Sequence, residues 1–171
     1  LFERFVAGRE FSIEGFVQKS KLNVLTICEK KRSEPPYLFD TQVFIPPNIS
    51  TAQMHSLNEA AERITEIMGI EDSVIHFEII MNQNNKPVAV DCAVRSSGFG
   101  LFSELVSWCI ASDSNKILLD VARGEAIPKH QINKNRAGFL HFMTAKQAGR
   151  IVAFRHENLP SFNNQIIFKK E

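Results

Sequence analysis

Two acidic residues and one arginine stand in a pattern suited to phosphate chemistry. They are Glu78 in His76-Phe77-Glu78, and Asp91 and Arg95 in Val90-Asp91-Cys92-Ala93-Val94-Arg95-Ser96-Ser97-Gly98. Val74 to Met81 and Pro87 to Val94 read as strands, separated by Asn-Gln-Asn-Asn-Lys. Asparagine tolerates positive φ, so Asn84-Asn85 reads as a two-residue hairpin turn. That turn sets Glu78 directly opposite Asp91, with Cβ atoms about 4.5–5.5 Å apart, and His76 opposite Ala93. A four-residue loop from Gln83 to Lys86 keeps this register, and a loop of odd length breaks it. Arg95 is four residues beyond Asp91, on the same face of the strand.

Two bare carboxylates directly opposite each other on a sheet repel. A divalent cation between them removes the conflict. Oxygen-only ligands with open positions suit Mg²⁺ bound together with nucleotide phosphates. Arg95 at the rim then stabilises negative charge on a transferring phosphoryl group or an anionic substrate. The same spacing also fits a solvated hairpin face, on which Glu78 and Asp91 never meet and Arg95 pairs with one of them.

The remaining chain must position this hairpin. The first 30 residues read as three strands: one in Leu1-Phe2-Glu3-Arg4-Phe5-Val6, one from Glu10 to Gln18, one from Leu22 to Cys28. Ala7-Gly8-Arg9 and Lys19-Ser20-Lys21 supply the turns. Residues 31–49 carry Pro35, Pro36, Pro46 and Pro47 and read as one long loop. Ser50 and Gln53 form a capping box for a helix whose apolar face is Met54, Leu57, Ala61, Ile64 and Met68, ended by Gly69. Phe102 to Ala111 and Asn115 to Ala122 read as helices, the second ended by Gly124. Ala137 to Thr144 and Arg150 to Phe154 read as a strand pair, and Gln165 to Phe168 as a last strand. Hairpins outnumber crossovers, which predicts an α+β fold with a mainly antiparallel sheet and helices on one side.

Length and composition narrow the function classes. A chain of 171 residues with 44% hydrophobic content favours one globular domain over 1–171 and excludes wholesale disorder. Twenty basic and 19 acidic residues leave a net charge of +1, which gives no global argument for nucleic acid or a membrane. No apolar run reaches the length of a membrane span. Cys28, Cys92 and Cys109 are widely spaced with no C-x-x-C, so reduced thiols and a cytoplasmic location are expected. A first residue Leu1 already inside a strand-like pattern reads as a piece cut from a longer protein. Neither a nucleophile elbow nor a Walker glycine loop occurs.

Three motifs, taken in order, resemble the C-terminal part of an ATP-grasp module. Glu3-Arg4-Phe5-Val6-Ala7-Gly8-Arg9-Glu10 is similar to that family's hinge strand and following strand, E-x-φ-φ-x-G-x-E. His76-Phe77-Glu78 is similar to its first metal-binding strand. Val90 to Gly98 is similar to the second, usually E-x-N-x-R-x-x-G. The resemblance runs from residue 1 to about residue 110 and continues more weakly from Ala137 to Phe154. It implies that the backbone near Phe5 and Val6 meets adenine, with Glu3 close by. It further implies that Glu10 accepts ribose hydroxyls, that Glu78 and Asp91 hold Mg²⁺ (or Mn²⁺), and that Arg95 contacts the phosphoryl group or acyl phosphate. Lys31 or Arg32, ahead of the proline-rich segment, is assigned to phosphates or substrate, or else to a solvated charge run. Glu10 has its own plain reading as an exposed strand carboxylate.

This sequence departs from the family pattern twice. Asp91 stands in place of the commoner Glu, and Ala93 in place of an Asn that is a metal ligand in many members. An alanine there also occurs in bacterial L-amino acid ligases, whose E-x-A-x-R motif resembles Asp91-Cys92-Ala93-Val94-Arg95. The resemblance implies an ATP-dependent, ADP-forming carboxylate–amine ligase that acts on a small acid and an amine through an acyl phosphate. A relative of the carboxylating members is a further possibility. The alternative class is a degenerate, non-catalytic nucleotide-binding or regulatory domain. The lobe that in this family supplies the phosphate-covering loop and lysines has no counterpart in the sequence, so the chain alone is expected to be inactive. His76 is expected beneath the site rather than in it, Cys92 on the opposite face, and Trp108 in packing.

Overall fold

The computed structural model describes residues 4–128, 132–133, 136–144 and 149–150. Among the described residues six strands form one sheet: β1 (Gly8–Gln18), β2 (Lys21–Arg32), β3 (Asp40–Ile45), β4 (Ser73–Asn82), β5 (Pro87–Ala93) and β6 (Gly138–His141). Their order is β5-β4-β1-β2-β3-β6, and every neighbouring pair is antiparallel. The α+β fold with a mainly antiparallel sheet is as the sequence predicts.

The helices lie on both faces of the sheet, not on one. Helix α1 (Thr51–Met68) packs Leu57 and Ala61 against Phe11, Ile13, Ile27, Phe77 and Ile79. On the other face, a π-helical stretch (Leu101–Val106), α2 (Ser107–Ile110) and α3 (Ser114–Ala122) pack against Phe16, Leu25, Cys28, Val43 and Val74. Successive strand residues point to opposite faces, so β1 feeds both cores at once. Neighbouring Phe16 and Val17 belong to different clusters.

The start and stop of α1 follow from side-chain chemistry. Ser50 Oγ accepts the Gln53 N–H at 3.2 Å, and Gln53 Oε1 accepts the Ser50 N–H at 3.0 Å. Gly69 ends the helix at φ 62°, a left-handed conformation that costs glycine little. Met54 and Ile64 are partly buried on the apolar face, whereas Met68 is 43% exposed. Gly8 is needed for a different reason. A Cβ there would sit 2.2 Å from the Met81 carbonyl oxygen, so only glycine lets β1 approach β4 this closely.

Three sequence expectations are corrected. Residues 31–49 are not one loop, because β3 lies within them and pairs with both β2 and β6. The prolines flank this strand rather than interrupt it. Residues 4–7 form no strand. The helix expected over Phe102 to Ala111 begins instead as the π-helical stretch and becomes α-helical only at Ser107. Of the expected pair near the C-terminus, β6 is present; Arg150 forms no strand, and residues 151–154 and 165–168 lie outside the described residues.

Candidate functional site

Glu78 and Asp91 are opposite each other across β4 and β5, and His76 is opposite Ala93. The chain reaches this register by another route than a two-residue turn. The Asn82 N–H donates to the Lys86 carbonyl at 3.0 Å, closing a three-residue loop over 83–85. Asn85 takes the left-handed conformation, φ 56°, and the Asn82 side chain accepts the Asn84 and Lys86 N–H groups. That odd loop pairs Met81 with Pro87 and Ile79 with Ala89. A bulge at Val90 then inserts one unpaired residue and brings Glu78 back opposite Asp91.

The carboxylate pair is not bare. In β1, Glu10, Ser12 and Glu14 share one face. Their partners are Lys30, Cys28 and Thr26 on β2, and Ile80, Glu78 and His76 on β4. Lys30 is buried in the middle of this face. Its ammonium donates to Glu78 Oε1, lies 2.9 Å from Asp40 Oδ2 and 3.6 Å from Glu10 Oε1. The Arg32 guanidinium meets both oxygens of buried Glu10, at 2.7 Å and 2.5 Å. His76 Nδ1 is 2.6 Å from Glu14 Oε1, and its Nε2 is 3.4 Å from Glu78 Oε1.

These contacts set the charge states. The hydrogen bond from His76 outweighs burial and, with Lys30, holds the Glu78 carboxyl down at about 2. Burial opposes charge on His76, but Glu14 and Glu78 overcome it and lift the imidazole to about 9. Lys30 is likewise raised against the effect of burial, by Glu78 and Asp40. Burial pushes the Glu10 carboxyl up, with Arg32 and Lys30 opposing. The face is thus a network of paired acidic and basic side chains next to a packed core.

The other residues singled out from the sequence fall in different places. Asp91 and Arg95 are exposed. Arg95 donates to the neighbouring Ser96 carbonyl at 2.9 Å, and it pairs with neither Glu78 nor Asp91 among the described residues. Lys31 lies on the opposite face of β2 from Lys30 and Arg32, its ammonium 5.1 Å from the centre of the Phe44 ring. Phe5 is 73% exposed and Val6 half-buried in the segment before β1, and Glu3 lies outside the described residues. Cys92 is packed against the α1 core. Trp108 is half-exposed, donates to the Ala137 carbonyl and lies under the Arg136 guanidinium.

Sequence reasoning missed Lys30, Asp40 and Glu14. Alternation along β2 was the available signal: with Glu10 opposite Lys30, residues 30 and 32 share the site's face and residue 31 does not. Asp40 was hidden by the reading of its segment as a loop.

Among the described residues no three His, Cys, Asp or Glu side chains gather as a metal-binding group. Glu78 and Asp91 offer two hard oxygen donors. That donor set fits a hard divalent cation whose other positions are filled by phosphate oxygens and water.

Residues 1–101 match the family model of the ATP-grasp domain, and the chain belongs to that family. Solved structures share the fold. L-amino acid ligase from Bacillus licheniformis is 18% identical, with a TM-score of 0.77 over 85% of this chain and 36% of that one. Phosphoribosylglycinamide synthetase from Anaerococcus prevotii is 16% identical, with a TM-score of 0.69 over 79% of this chain and 35% of that one. The biotin carboxylase domain of the Hydrogenobacter thermophilus 2-oxoglutarate carboxylase, solved with MgADP and bicarbonate, is 12% identical, with a TM-score of 0.60 over 77% and 28%. The chain thus spans about a third of the length of these proteins. No curated protein sequence matches it. No described helix is long and apolar enough to cross a membrane.

Proposed function

We propose that this chain is a partial ATP-grasp module, spanning 1–171 as one domain, and forms the nucleotide- and Mg²⁺-binding part of an ADP-forming carboxylate–amine ligase. One observation carries the reading. The sheet face that α1 does not cover gathers Glu10, Lys30, Arg32, Asp40 and Glu78, with Asp91, unpartnered among the described residues, at its edge. Buried charge of this density costs stability, and a polyanionic ligand with its cation gives it a use.

In this reading Glu3, Phe5 and Val6 line the adenine, and Glu10 takes the ribose hydroxyls, sharing or opening its pair with Arg32. Arg32, on the site's face, contacts phosphates in place of Lys31. Glu78 and Asp91 would hold Mg²⁺, which when bound neutralises phosphate charge and orients the γ-phosphoryl group. Arg95 would grip the phosphoryl group or the acyl phosphate with its planar fork, exchanging its bond to the Ser96 carbonyl for it. The substrate carboxylate takes the γ-phosphoryl group, ADP leaves, and the amine displaces phosphate from the acyl phosphate. A cytoplasmic location belongs to the same proposal.

A second reading has its own observations. Glu78 is already engaged by Lys30 and His76, and Ala93 offers no ligand. Both favour a nucleotide-binding module without turnover.

The test uses the whole protein that carries this chain, ATP, and a panel of acid and amine pairs. ADP and phosphate are expected only when both substrates are present. AMP and pyrophosphate overturn the ligase reading, and ATP binding without turnover supports the second one. Arg95→Lys is expected to bind ATP nearly as wild type and to lose about 10²–10³ in kcat. An unchanged kcat removes Arg95 from the chemistry.

A further inference from the structure

Glu78 is held in an asymmetric way. Lys30 and His76 both approach Oε1, and Oε2 accepts no hydrogen bond from the described residues. The two cationic groups are themselves fixed. Lys30 is tied to Asp40 on β3 and faces Glu10 on β1, with only 6% of its side chain exposed. His76 is pinned at Nδ1 by Glu14, whose side chain is wholly buried and whose Oε2 has no partner among the described residues. A buried carboxylate with one oxygen unpaired is a costly feature, and its other oxygen fixes the imidazole of His76. All of these residues except Asp40 sit on the three adjacent strands β1, β2 and β4.

We propose that Lys30 and His76 are positioning residues that clamp Oε1 of Glu78, confine this carboxylate to one-oxygen ligation through Oε2, and so make the site select Mg²⁺ over Ca²⁺. The proposal rests on the reading of Glu78 and Asp91 as cation ligands. Its basis is coordination chemistry. Mg²⁺ is small and demands near-octahedral geometry, with one oxygen from each carboxylate. Ca²⁺ takes six to eight oxygens and readily uses both oxygens of one carboxylate. A carboxylate with one oxygen already occupied by an ammonium and an imidazole gives up the second mode. The clamp also keeps the carboxylate aimed before a cation arrives, as outer-shell partners do at other metal sites.

The experiment is a competition assay on the whole protein with saturating ADP. Mn²⁺ serves as the bound probe, followed by electron paramagnetic resonance, and is displaced by Mg²⁺ or Ca²⁺. Wild type is expected to favour Mg²⁺. Lys30→Met and His76→Gln (one amide cannot bridge Glu14 and Glu78) are expected to lose about 10–100-fold in Mg²⁺ affinity. They lose less for Ca²⁺, so the preference narrows or inverts. Lys30→Arg keeps a cation on Oε1 and is expected to retain the preference. Should Lys30→Met fail to fold, His76→Gln decides the question. Equal losses for both ions, or tighter Mg²⁺ binding, overturn the clamp. Glu78→Gln and Asp91→Asn test the ligand assignment separately. Mn²⁺ binding unchanged in both removes the site, and the clamp with it.

Discussion

The two faces of the central strands are built from alternating residues of the same sequence, yet they obey different rules. On the α1 face, Phe11, Ile13, Phe77 and Ile79 are fully buried and apolar. One residue away in each case, Glu10, Ser12, Glu14, His76 and Glu78 are polar, and the first four of them are also buried. The first face gains stability from area removed from water. The second holds charge in place against a desolvation cost, and its order comes from paired partners. A strand interior can therefore serve an apolar core on one face and carry charge on the other, where the acidic residues meet counter-charges across the ladder.

The contrast can be broken most forcefully from the apolar side. Phe77→Ala is expected to cost about 3–5 kcal/mol and to lower the denaturation midpoint. Any loss of nucleotide binding should then follow the unfolded fraction. A variant that binds nucleotide poorly while still fully folded would show that the faces are not separable.

The charged face should show itself in pH dependence. His76 is raised from 6.5 to about 9 by Glu14 and Glu78, the latter also held by Lys30. Its stabilisation is complete below pH 6.5 and is lost as pH rises through about 9. Glu78 is lowered from 4.5 to about 2, so its share is complete above pH 4.5 and is lost as pH falls through about 2. Glu10, pushed up by burial, adds a loss as pH rises above 4.5, and His76 adds a separate decline from pH 6.5 to 9, by no more than about 1.4 kcal/mol per pH unit. Denaturant titrations of wild type and His76→Gln test this, since the variant should lack the alkaline decline.

The smallest expected effect sharpens the comparison at a single pair of neighbours. Lys31→Ala removes a contact with Phe44 and should cost about 0.5–1 kcal/mol, with nucleotide affinity unchanged. Arg32→Ala should weaken nucleotide binding. Equal effects on affinity from the two variants would mean that strand alternation does not separate ligand from support.

Much of this layout is legible before any coordinates. The capping box at Ser50 and the stop at Gly69 follow from residue types at short range. The hairpin was right through two departures that cancel, an odd loop and a bulge, neither of which the pattern reveals. What stayed hidden was non-local. The sequence near Lys30 shows three cations in a row, and only pairing with β1 says which of them turns inward. Likewise, Glu78 facing Asp91 looked like bare repulsion because the compensating Lys30 and His76 come from the ladder, not from the hairpin's own spacing. Glu78→Gln therefore strips two cations of a partner rather than relieving a like-charge pair.

The Val90 bulge has a practical consequence for anyone modifying this hairpin. It offsets the odd loop by one residue, so Glu78 stays opposite Asp91 only while loop and bulge are kept together. The exposed tip at Asn84 and Asn85, six to seven residues from both carboxylates, is a place to graft a peptide tag or a fluorophore site so long as the Asn82–Lys86 closure and the bulge are kept.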